Sequence, residues 1–288
     1  PTPPADVWAA AYYANVNLSG QPALTRLDKE INFDWGQGAP ATGLPKDNFS
    51  VRWVRRPSFQ EGPYRFEVWA DDGVRLWVDG ILLIDAWRDS TPARHEAHLW
   101  LSAGPHDVKV EYYERTGAAL IRVQWERLTT FQYWRGEYYA NRHLSGNPRL
   151  VRDDREIRFD WGLNAPAPGL PKDDFSARWT RTVTLPGGRY RVWAVADDGV
   201  RFYVDGVRII DEWHDAVGQV YTHELLLAPG AHTFIVEYYE RGGNALISAG
   251  WDLLATLTPT PSSTATAAPT ATAAPTPTAT QTPTATET

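Results

Sequence analysis

The 288-residue sequence contains no cysteine, which excludes a disulfide framework and a thiolate metal site. No apolar run reaches about 18 residues, so we expect no membrane span. Runs of lysine or arginine are missing and the formal net charge is −7, so nucleic acid, itself a polyanion, is not an expected partner. The chain opens PTPPADVW without an initiator methionine or a charged-then-apolar leader, from which we expect a processed or truncated chain.

Motifs for catalysis are missing as well. The sequence has no Gly-x-Ser-x-Gly elbow, no His-Glu-x-x-His zinc helix and no glycine loop for phosphate. Its adjacent acidic residues cannot easily flank a glycosidic bond from opposite faces. We therefore expect a protein that is not an enzyme.

What the sequence does contain is a long internal repeat with a constant offset. YYANVNLSG from Tyr12 returns as YYANRHLSG from Tyr138, and VEYYER from Val110 returns unchanged from Val236. Because the spacing between these landmarks is the same in both halves, the sequence predicts two copies of one domain. We place them at residues 1–127 and 128–254.

Residues 255–288 form a segment of different composition, rich in Thr, Pro and Ala and without aromatic side chains. Such a segment cannot build a core, and its alternation of Thr and Pro favours extended backbone. Dense Thr near Pro resembles O-glycosylated stalks, with an unmodified spacer as the alternative. We expect an extended tail here.

Within each copy, apolar residues alternate with period two. In PYRFEVWA, Tyr64, Phe66 and Val68 share one face, while Arg65 and Glu67 share the other. The pair Asp79-Gly80 suits the positive φ angles of a tight hairpin turn. No stretch has a convincing helical period, so we expect an antiparallel sandwich or barrel in each copy.

Two aspartates stand side by side in ADDGVRLWVDG and in its repeat ADDGVRFYVDG. Successive side chains of a strand point to opposite faces, so Asp71 and Asp72 converge only at a sharp turn or a cis peptide. Their mutual repulsion is relieved by a hard divalent cation such as Ca²⁺. The alternative is a capped turn, with one aspartate bonded to local amides and the other facing water. Glu114 and Glu240 favour the interpretation as a cation site, because each begins a glycine-containing loop that can offer a carboxylate together with backbone carbonyls.

The ordered series YYAN, LSG, FDWG, LPKDNFSVRW, ADDGVRLWVDG, LIDAW and VEYYE resembles the PA-fourteen (PA14) domain, named after anthrax protective antigen and shared by flocculins, adhesins and some glycosidases. The resemblance covers essentially all of both copies. It implies an all-β protein of two tandem jelly-roll-like antiparallel β-sandwich domains, to which the Thr/Pro-rich tail is added. In lectin members of the family, a cis-linked Asp-Asp pair binds Ca²⁺, and the ion completes its shell with vicinal hydroxyls of a sugar.

By position, the resemblance implies two sets of Ca²⁺ ligands, each made of carboxylates and loop carbonyls. The sets are Asp71, Asp72, Glu114, Thr116 and Ala118 in the first copy, and Asp197, Asp198, Glu240, Gly242 and Asn244 in the second. The glutamates depart from the Asn or Gln of well-known lectin members. We expect the added charge to strengthen Ca²⁺ binding and to weaken the attraction for a neutral sugar. Some family members bind no sugar at all.

Two further clusters are candidates for contact with the sugar itself, because a tryptophan ring stacks on a sugar through its apolar face. They are Trp87, Arg88 and Asp89 in the first copy, and Trp213, His214 and Asp215 in the second. Buried packing is the alternative for these tryptophans, as for Trp35 and Trp161. For His106 and His232 we expect a structural role.

The leading hypothesis is a secreted or cell-surface, calcium-dependent carbohydrate-binding protein, lectin-like or adhesin-like, whose partner is a cell-surface glycan. A second hypothesis is the subunit of an extracellular glycosylated filament or surface layer, a homopolymer assembled through its tail. A third is the accessory part of a larger secreted hydrolase.

Overall fold

The computed structural model describes residues 2–256, and every regular element among them is a β-strand. The prediction of an all-β protein is confirmed. Within the same residues, no helix has the length and apolar character that crossing a membrane requires. Residues 255 and 256, which were predicted to begin the tail, instead end the last strand of the second repeat. The rest of the predicted tail, its glycosylation and assembly through it fall on residues that lie outside the described part.

The first repeat contains twelve strands. They are β1 (Trp8–Tyr13), β2 (Leu24–Asp28), β3 (Asn32–Gly36), β4 (Phe49–Arg55), β5 (Ser58–Phe59), β6 (Gly62–Asp71), β7 (Gly73–Val78), β8 (Ile81–Ala86), β9 (Ala93–Leu101), β10 (Gly104–Pro105), β11 (Val108–Glu114) and β12 (Ala119–Arg127).

The second repeat contains ten strands. They are β13 (Trp134–Tyr139), β14 (Leu150–Asp154), β15 (Ile157–Gly162), β16 (Phe175–Leu185), β17 (Gly188–Asp197), β18 (Gly199–Val204), β19 (Val207–Glu212), β20 (Gln219–Leu227), β21 (Gly230–Glu240) and β22 (Ala245–Thr256).

Each repeat is a sandwich of a six-stranded and a four-stranded sheet. The orders are β2-β1-β4-β11-β7-β8 with β3-β12-β6-β9 in the first repeat, and β14-β13-β16-β21-β18-β19 with β15-β22-β17-β20 in the second. All neighbouring strands are antiparallel, for example β6 with β9 and β12. The predicted antiparallel sandwich is therefore present twice, with the same strand order.

The core of each sandwich is built from the inward faces of both sheets. Tyr64, Phe66 and Val68 of β6 are buried against the six-stranded sheet, as their alternation predicts. Glu67 points to the other face and is nevertheless buried. Gln124 Nε2 donates to its carboxylate at 2.6 Å and Arg94 donates to it as well, and these bonds lower the pKa of Glu67 although burial opposes them.

The two repeats differ where β4 is followed by β5. In the first repeat Pro57 interrupts the continuation of β4, and β5 pairs only with β10. Proline has no backbone N–H to give to a ladder, so the strand stops there. Val183 stands at the matching position of the second repeat, and β16 runs on unbroken for 11 residues.

The repeats are joined through a junction in which β14 packs against β9 and β6. Trp100 N of β9 donates a hydrogen bond to Arg149 O at 3.0 Å, just ahead of β14. Val151 is 0% exposed, whereas its counterpart Thr25 is exposed. The second repeat therefore buries one sheet edge against the first.

Candidate functional site

Each repeat brings three carboxylates together at the same end of its sandwich. In the first repeat, Asp71 ends β6, Asp72 links it to β7, and Glu114 ends β11, which pairs with β7. One oxygen from each of the three lies within 4.8 Å of the others, and Asp197, Asp198 and Glu240 form the same cluster. The strand pairing thus assembles residues that are 43 positions apart in the sequence.

The aspartate pair is held by backbone amides of two other loops. The Asp71-Asp72 and Asp197-Asp198 peptides are cis, as the resemblance implies. Ser90 N donates to Asp72 Oδ1 at 2.8 Å, and Arg115 N donates to Asp72 Oδ2 at 3.0 Å. Because these donors lie 18 and 43 residues away, the pair does not cap its own turn, and Asp72 instead fastens two loops to the cluster.

Asp198 makes the same contacts in the second repeat. Ala216 N donates to Asp198 Oδ1 at 3.2 Å, and Arg241 N donates to Oδ2 at 2.8 Å. Ala216 replaces Ser90 without loss of the hydrogen bond to Oδ1, because the donor is the backbone N–H in both repeats. The arrangement therefore survives a change of side chain.

The glutamate of each cluster is wholly buried, and the tyrosine hydroxyl beside it also donates to the backbone carbonyl of the first aspartate. Tyr112 Oη lies 3.2 Å from Glu114 Oε2, while Glu114 Oε1 has no hydrogen-bond partner. In the second repeat, Tyr238 Oη lies 3.0 Å from Glu240 Oε2, and Oε1 is again unpartnered. Leaving a buried carboxylate oxygen without a partner is costly, so Oε1 is a candidate ligand atom for a cation.

The electrostatics of the cluster point the same way. Burial, together with the charge of Asp72, raises the pKa of Glu114 to about 7. Burial and its neighbour Asp72 also raise the pKa of Asp71. Three converging carboxylates with one orphan oxygen form an all-oxygen donor set, which fits a hard cation such as Ca²⁺.

The loop residues that the resemblance implies as carbonyl ligands follow directly after the glutamates. Thr116 and Ala118 lie in the exposed loop of residues 115–118 between β11 and β12. Gly242 and Asn244 lie in the matching exposed loop of residues 241–244. The four residues are thus exposed and lie two or four positions after the cluster glutamates along the chain.

A pocket next to the first cluster gathers the residues predicted to contact sugar. Its volume is about 320 Å³, and it is lined by Val16, Asn17, Trp87, Arg88, Asp89, Tyr113 and Arg115. Tyr113 Oη donates to Asp89 Oδ1 at 2.6 Å, and Arg115 Nε donates to the same carboxylate at 2.9 Å. These two bonds lower the pKa of Asp89, so the pocket holds a fixed carboxylate.

The second repeat has a smaller pocket of about 210 Å³ at the same place, lined by Arg142, His143, Trp213 and Tyr239. Tyr239 Oη donates to Asp215 Oδ1 at 2.8 Å. His214 lies beside it, 3.1 Å from Asp215 O and 3.0 Å from Glu212 Oε2, and these contacts raise its pKa. The predicted trio of the second repeat is therefore adjacent as well.

The four tryptophans divide between the two interpretations. Trp35 stacks on Phe33 at 4.9 Å and packs against the core. Trp161 stacks on Phe159 in the same way. Trp87 is half-buried, meets the Tyr113 ring edge-on at 4.8 Å and lines the pocket. Only the pair at Trp87 and Trp213 is placed to contact a ligand.

Tyr113 and Arg115 are site residues that sequence reasoning missed. Both belong to the repeated VEYYER, from which only the glutamate was interpreted. Gly73, directly after the aspartate pair, begins β7 and makes room for a ring. A Cβ on Gly73 would lie 2.0 Å from Tyr113 Cε1, and one on Gly199 would lie 2.2 Å from Tyr239 Cε1. The repetition of glycine and tyrosine at fixed spacing was the available signal.

Comparison with known proteins gives the following relatives. A family model described as "PA14 domain" matches residues 5–130 and 133–265. The anti-sigma-I factor RsgI3 of Acetivibrio thermocellus is 34% identical in an alignment 267 residues long that covers 83% of this chain and 41% of the relative. The chain therefore spans about two fifths of that relative.

Two solved structures are also similar. An anti-sigma factor domain-containing protein is 31% identical with a TM-score of 0.41, covering 87% of this chain and 94% of its own. A PA14 sugar-binding domain from an RTX adhesin is 20% identical with a TM-score of 0.37, covering 43% of this chain and 90% of its own.

Proposed function

The chain belongs to the PA14 domain family, of which it carries two copies, and we propose that each copy binds a carbohydrate through a Ca²⁺ ion held by its acidic cluster. The observation that carries the proposal is the buried, unpartnered Oε1 of Glu114 beside two aspartates, repeated at Glu240. A divalent cation at this point satisfies the orphan oxygen and relieves the repulsion among three carboxylates.

The residues that would hold the ion are the three carboxylates of each repeat, with loop carbonyls on the solvent side. They are Asp71, Asp72, Glu114, Thr116 and Ala118, and their counterparts Asp197, Asp198, Glu240, Gly242 and Asn244. A bound Ca²⁺ takes six to eight oxygen ligands, so it has coordination positions left for the hydroxyl groups of a sugar.

The chain's own pocket residues would orient the rest of the sugar. Trp87 offers an apolar ring at the pocket wall, and Arg88 and Asn17 offer hydrogen-bond donors. Tyr113 fixes the carboxylate of Asp89 as an acceptor. A concave site with an aromatic wall and a few fixed polar groups is the usual form of a small-ligand site.

We place this activity outside the cell or at its surface, and we assign no catalytic step to the two domains. Extracellular Ca²⁺ modules work at dissociation constants of roughly 10⁻⁴ to 10⁻³ M. A site of three carboxylates at the end of a sandwich suits that range. The partner is a glycan.

Relatedness to anti-sigma factor proteins favours a second role for the same domains, as the ligand-binding portion of a longer regulatory protein. The supporting observation is 34% identity over 83% of this chain to a protein of more than twice its matched length. That role keeps the site chemistry and changes only what the bound glycan controls. Direct binding of a sigma factor by residues 2–256 would contradict this role, in which the two domains bind only the ligand.

A glycan array tests the main proposal, with the protein applied once in millimolar Ca²⁺ and once in excess chelator. The variant that carries both Asp72→Asn and Asp198→Asn removes one charge from each cluster. Its matched control carries Asp34→Asn and Asp160→Asn, the same change at equivalent positions of β3 and β15.

We expect glycan binding in Ca²⁺ for the wild type and the control, and loss of binding in chelator and in the cluster variant. Signals that are equal with Ca²⁺ and with chelator, or no bound glycan in either condition, would overturn the proposal.

A further inference from the structure

The junction between the two repeats uses a surface of the first repeat that the second repeat also possesses. On the first repeat the surface is formed by Ile81 and by Leu99–Leu101 at the end of β9, next to the Trp100–Arg149 hydrogen bond. The counterparts in the second repeat are Val207 and Leu225–Leu227, here called the β20 face. All four positions stay apolar.

Leu225 and Leu227 turn toward the core of the second repeat, whereas the other two residues of the β20 face are open within residues 2–256. Leu226 is 70% exposed and Val207 is 61% exposed, whereas their counterparts Trp100 and Ile81 are partly buried. Val207 and Leu226 stand on β19 and β20, the edge strands of the two sheets of the sandwich, which contact each other. Exposed apolar side chains on neighbouring strands mark an interaction surface when they form one patch.

The first repeat carries the other half of such a junction. The segment of the second repeat that docks is Pro148–Val151, and its counterpart Pro22–Thr25 is here called the β2 edge. Proline and leucine stand at the same places in both segments. Leu27 nearby is 68% exposed, and a groove of about 470 Å³ with a mainly apolar lining, including Ala9, Ala11 and Val54, adjoins Thr25.

Charge also matches across the two surfaces. Arg152 of β14 lies near His98 of β9, close enough that its charge adds to burial in lowering the pKa of His98. Glu224 replaces His98 on the β20 face, and Arg26 is the counterpart of Arg152. Joining the β2 edge to the β20 face therefore brings Glu224 toward Arg26, and each of the two already has an ion-pair partner in its own repeat, Arg189 and Asp28.

We propose that the β20 face of one chain binds the β2 edge of a second copy of the chain, repeating between chains the junction that joins the repeats within one chain. Such an interface is heterologous, because its two sides are different surfaces at opposite repeats. Each added chain leaves one free face and one free edge, so the assembly grows head to tail unless it closes into a ring. It involves neither acidic cluster nor residues 257–288.

The test measures molar mass by light scattering and by sedimentation over a concentration series, using the full chain in chelator. Leu226→Glu alters the β20 face, and Thr25→Arg alters the β2 edge. Leu163→Glu is the matched control, since Leu163 is 65% exposed and follows β15 at the opposite edge of the same sheet.

We expect the mass of the wild type and the control to rise with concentration, and each of the two interface variants alone to remain a monomer. An equimolar mixture of the two variants should form a dimer and grow no further, because one intact edge and one intact face remain. The mixture also shows that both variants are folded.

A monomeric wild type at every concentration would overturn the proposal. So would self-association of either variant at wild-type strength, or a mixture that stays monomeric. Assembly that requires Ca²⁺ would also contradict it, because the two surfaces contain no ligand of the proposed ion.

Discussion

At the scale of single residues, a glutamate completes each acidic cluster, and its charge acts in opposite directions with and without an ion. Without a cation, burial and Asp72 raise the pKa of Glu114 to about 7, so a charge at this position opposes folding. With a cation, the third carboxylate adds attraction and its orphan oxygen gains a partner. Glu114 therefore destabilises the protein without the ion and stabilises the ion-bound protein.

Glu114→Gln separates these two effects. The neutral amide removes the repulsion, so we expect the variant to unfold at a higher temperature than the wild type in chelator at pH 8. In Ca²⁺ the order of the two unfolding temperatures should reverse, because loss of the charge weakens Ca²⁺ binding by at least about tenfold. Calorimetric unfolding and Ca²⁺ titration measure both quantities.

Glu126→Gln is the matched control, since Glu126 is exposed and pairs only at the surface with Arg65. It should change neither the affinity for Ca²⁺ nor the order of the unfolding temperatures. Unchanged Ca²⁺ affinity in Glu114→Gln would contradict the placement of Glu114 at the ion.

Gly73 offers a test of how the pocket is built. An alanine there would press its Cβ against the Tyr113 ring, which holds Asp89 in place. Overpacking of this kind costs about 1–3 kcal/mol, and the ring must move to relieve it. We expect Gly73→Ala to lower stability to urea and to weaken glycan binding by the first repeat.

Gly242→Ala serves as the control for stability, because nothing lies within 4 Å of its Cβ position. It should leave the urea midpoint unchanged or raise it slightly. A Gly73→Ala protein with wild-type stability and binding would show that Tyr113 needs no such room.

Sequence reasoning reached the charged residues of the site and missed those that support them. Asp71, Asp72 and Glu114 were grouped because like charges in repeated loops need a counter-charge. Tyr113 looks like ordinary core from its alternation, since nothing local records that its ring crosses over Gly73 of the neighbouring strand. Cross-strand contacts of this kind depend on register, which a single sequence does not state.

At the scale of strands and hairpins, a histidine fastens two turns of the second repeat. His232 Nδ1 lies 2.6 Å from Asp205 Oδ2, and Nε2 lies 2.8 Å from Ala228 O. Both ring nitrogens face acceptors, so the imidazolium form is favoured, and Asp205 raises the pKa of His232. The contact links the β18–β19 turn to the β20–β21 turn.

The sign of the pH dependence follows from this raised pKa. A group whose pKa is higher in the folded state adds stability below its unfolded value of 6.5, and this stability is lost as pH rises through the folded value. The difference in unfolding free energy between wild type and His232→Gln should therefore be larger at pH 5.5 than at pH 9. Urea titrations at both values measure it.

His223→Gln is the control, because His223 lies on the exposed side of β20. Its difference from the wild type should stay nearly constant between the two pH values. A His232→Gln difference that grows toward pH 9 would contradict the imidazolium assignment.

Most strands were predictable from alternation and turn residues, whereas their interruptions were not. Asp79 and Gly80 have φ angles of 49° and 80°, as the hairpin prediction requires, and Val78 pairs directly with Ile81. The break at Pro57 depends on which backbone groups face a partner strand. Likewise, the burial of Glu67 depends on Arg94 and Gln124 reaching over it from neighbouring strands.

At the scale of the whole molecule, duplication was plain from the sequence but the junction was not. The constant offset of the repeats says that two sandwiches exist, and it carries no information on which faces meet. The difference in solvent exposure between equivalent residues shows which faces meet, because Val151 is buried whereas its counterpart Thr25 is exposed. The same comparison of equivalent residues identifies the β20 face as a surface that the other repeat does not cover.

If both proposed glycan sites are present, their position on one compact unit predicts a gain in avidity on polymeric ligands. Once one repeat is bound to a polysaccharide, the second meets the same chain at a high effective concentration, which raises overall affinity by about 10²–10⁴ when both sites engage. Asp72→Asn should therefore weaken binding to an immobilised polysaccharide by about a hundredfold or more. For a monosaccharide in solution it should only halve the number of sites and leave the affinity of the remaining one unchanged.

Surface binding kinetics and isothermal titration measure the two cases, with Asp34→Asn as the control in both. Asp198→Asn should reproduce the result if the repeats contribute alike, and a larger loss from one of the two would rank them. Equal, small losses on polymer and monosaccharide would mean that the repeats act separately, since simultaneous engagement is the only source of the predicted gain.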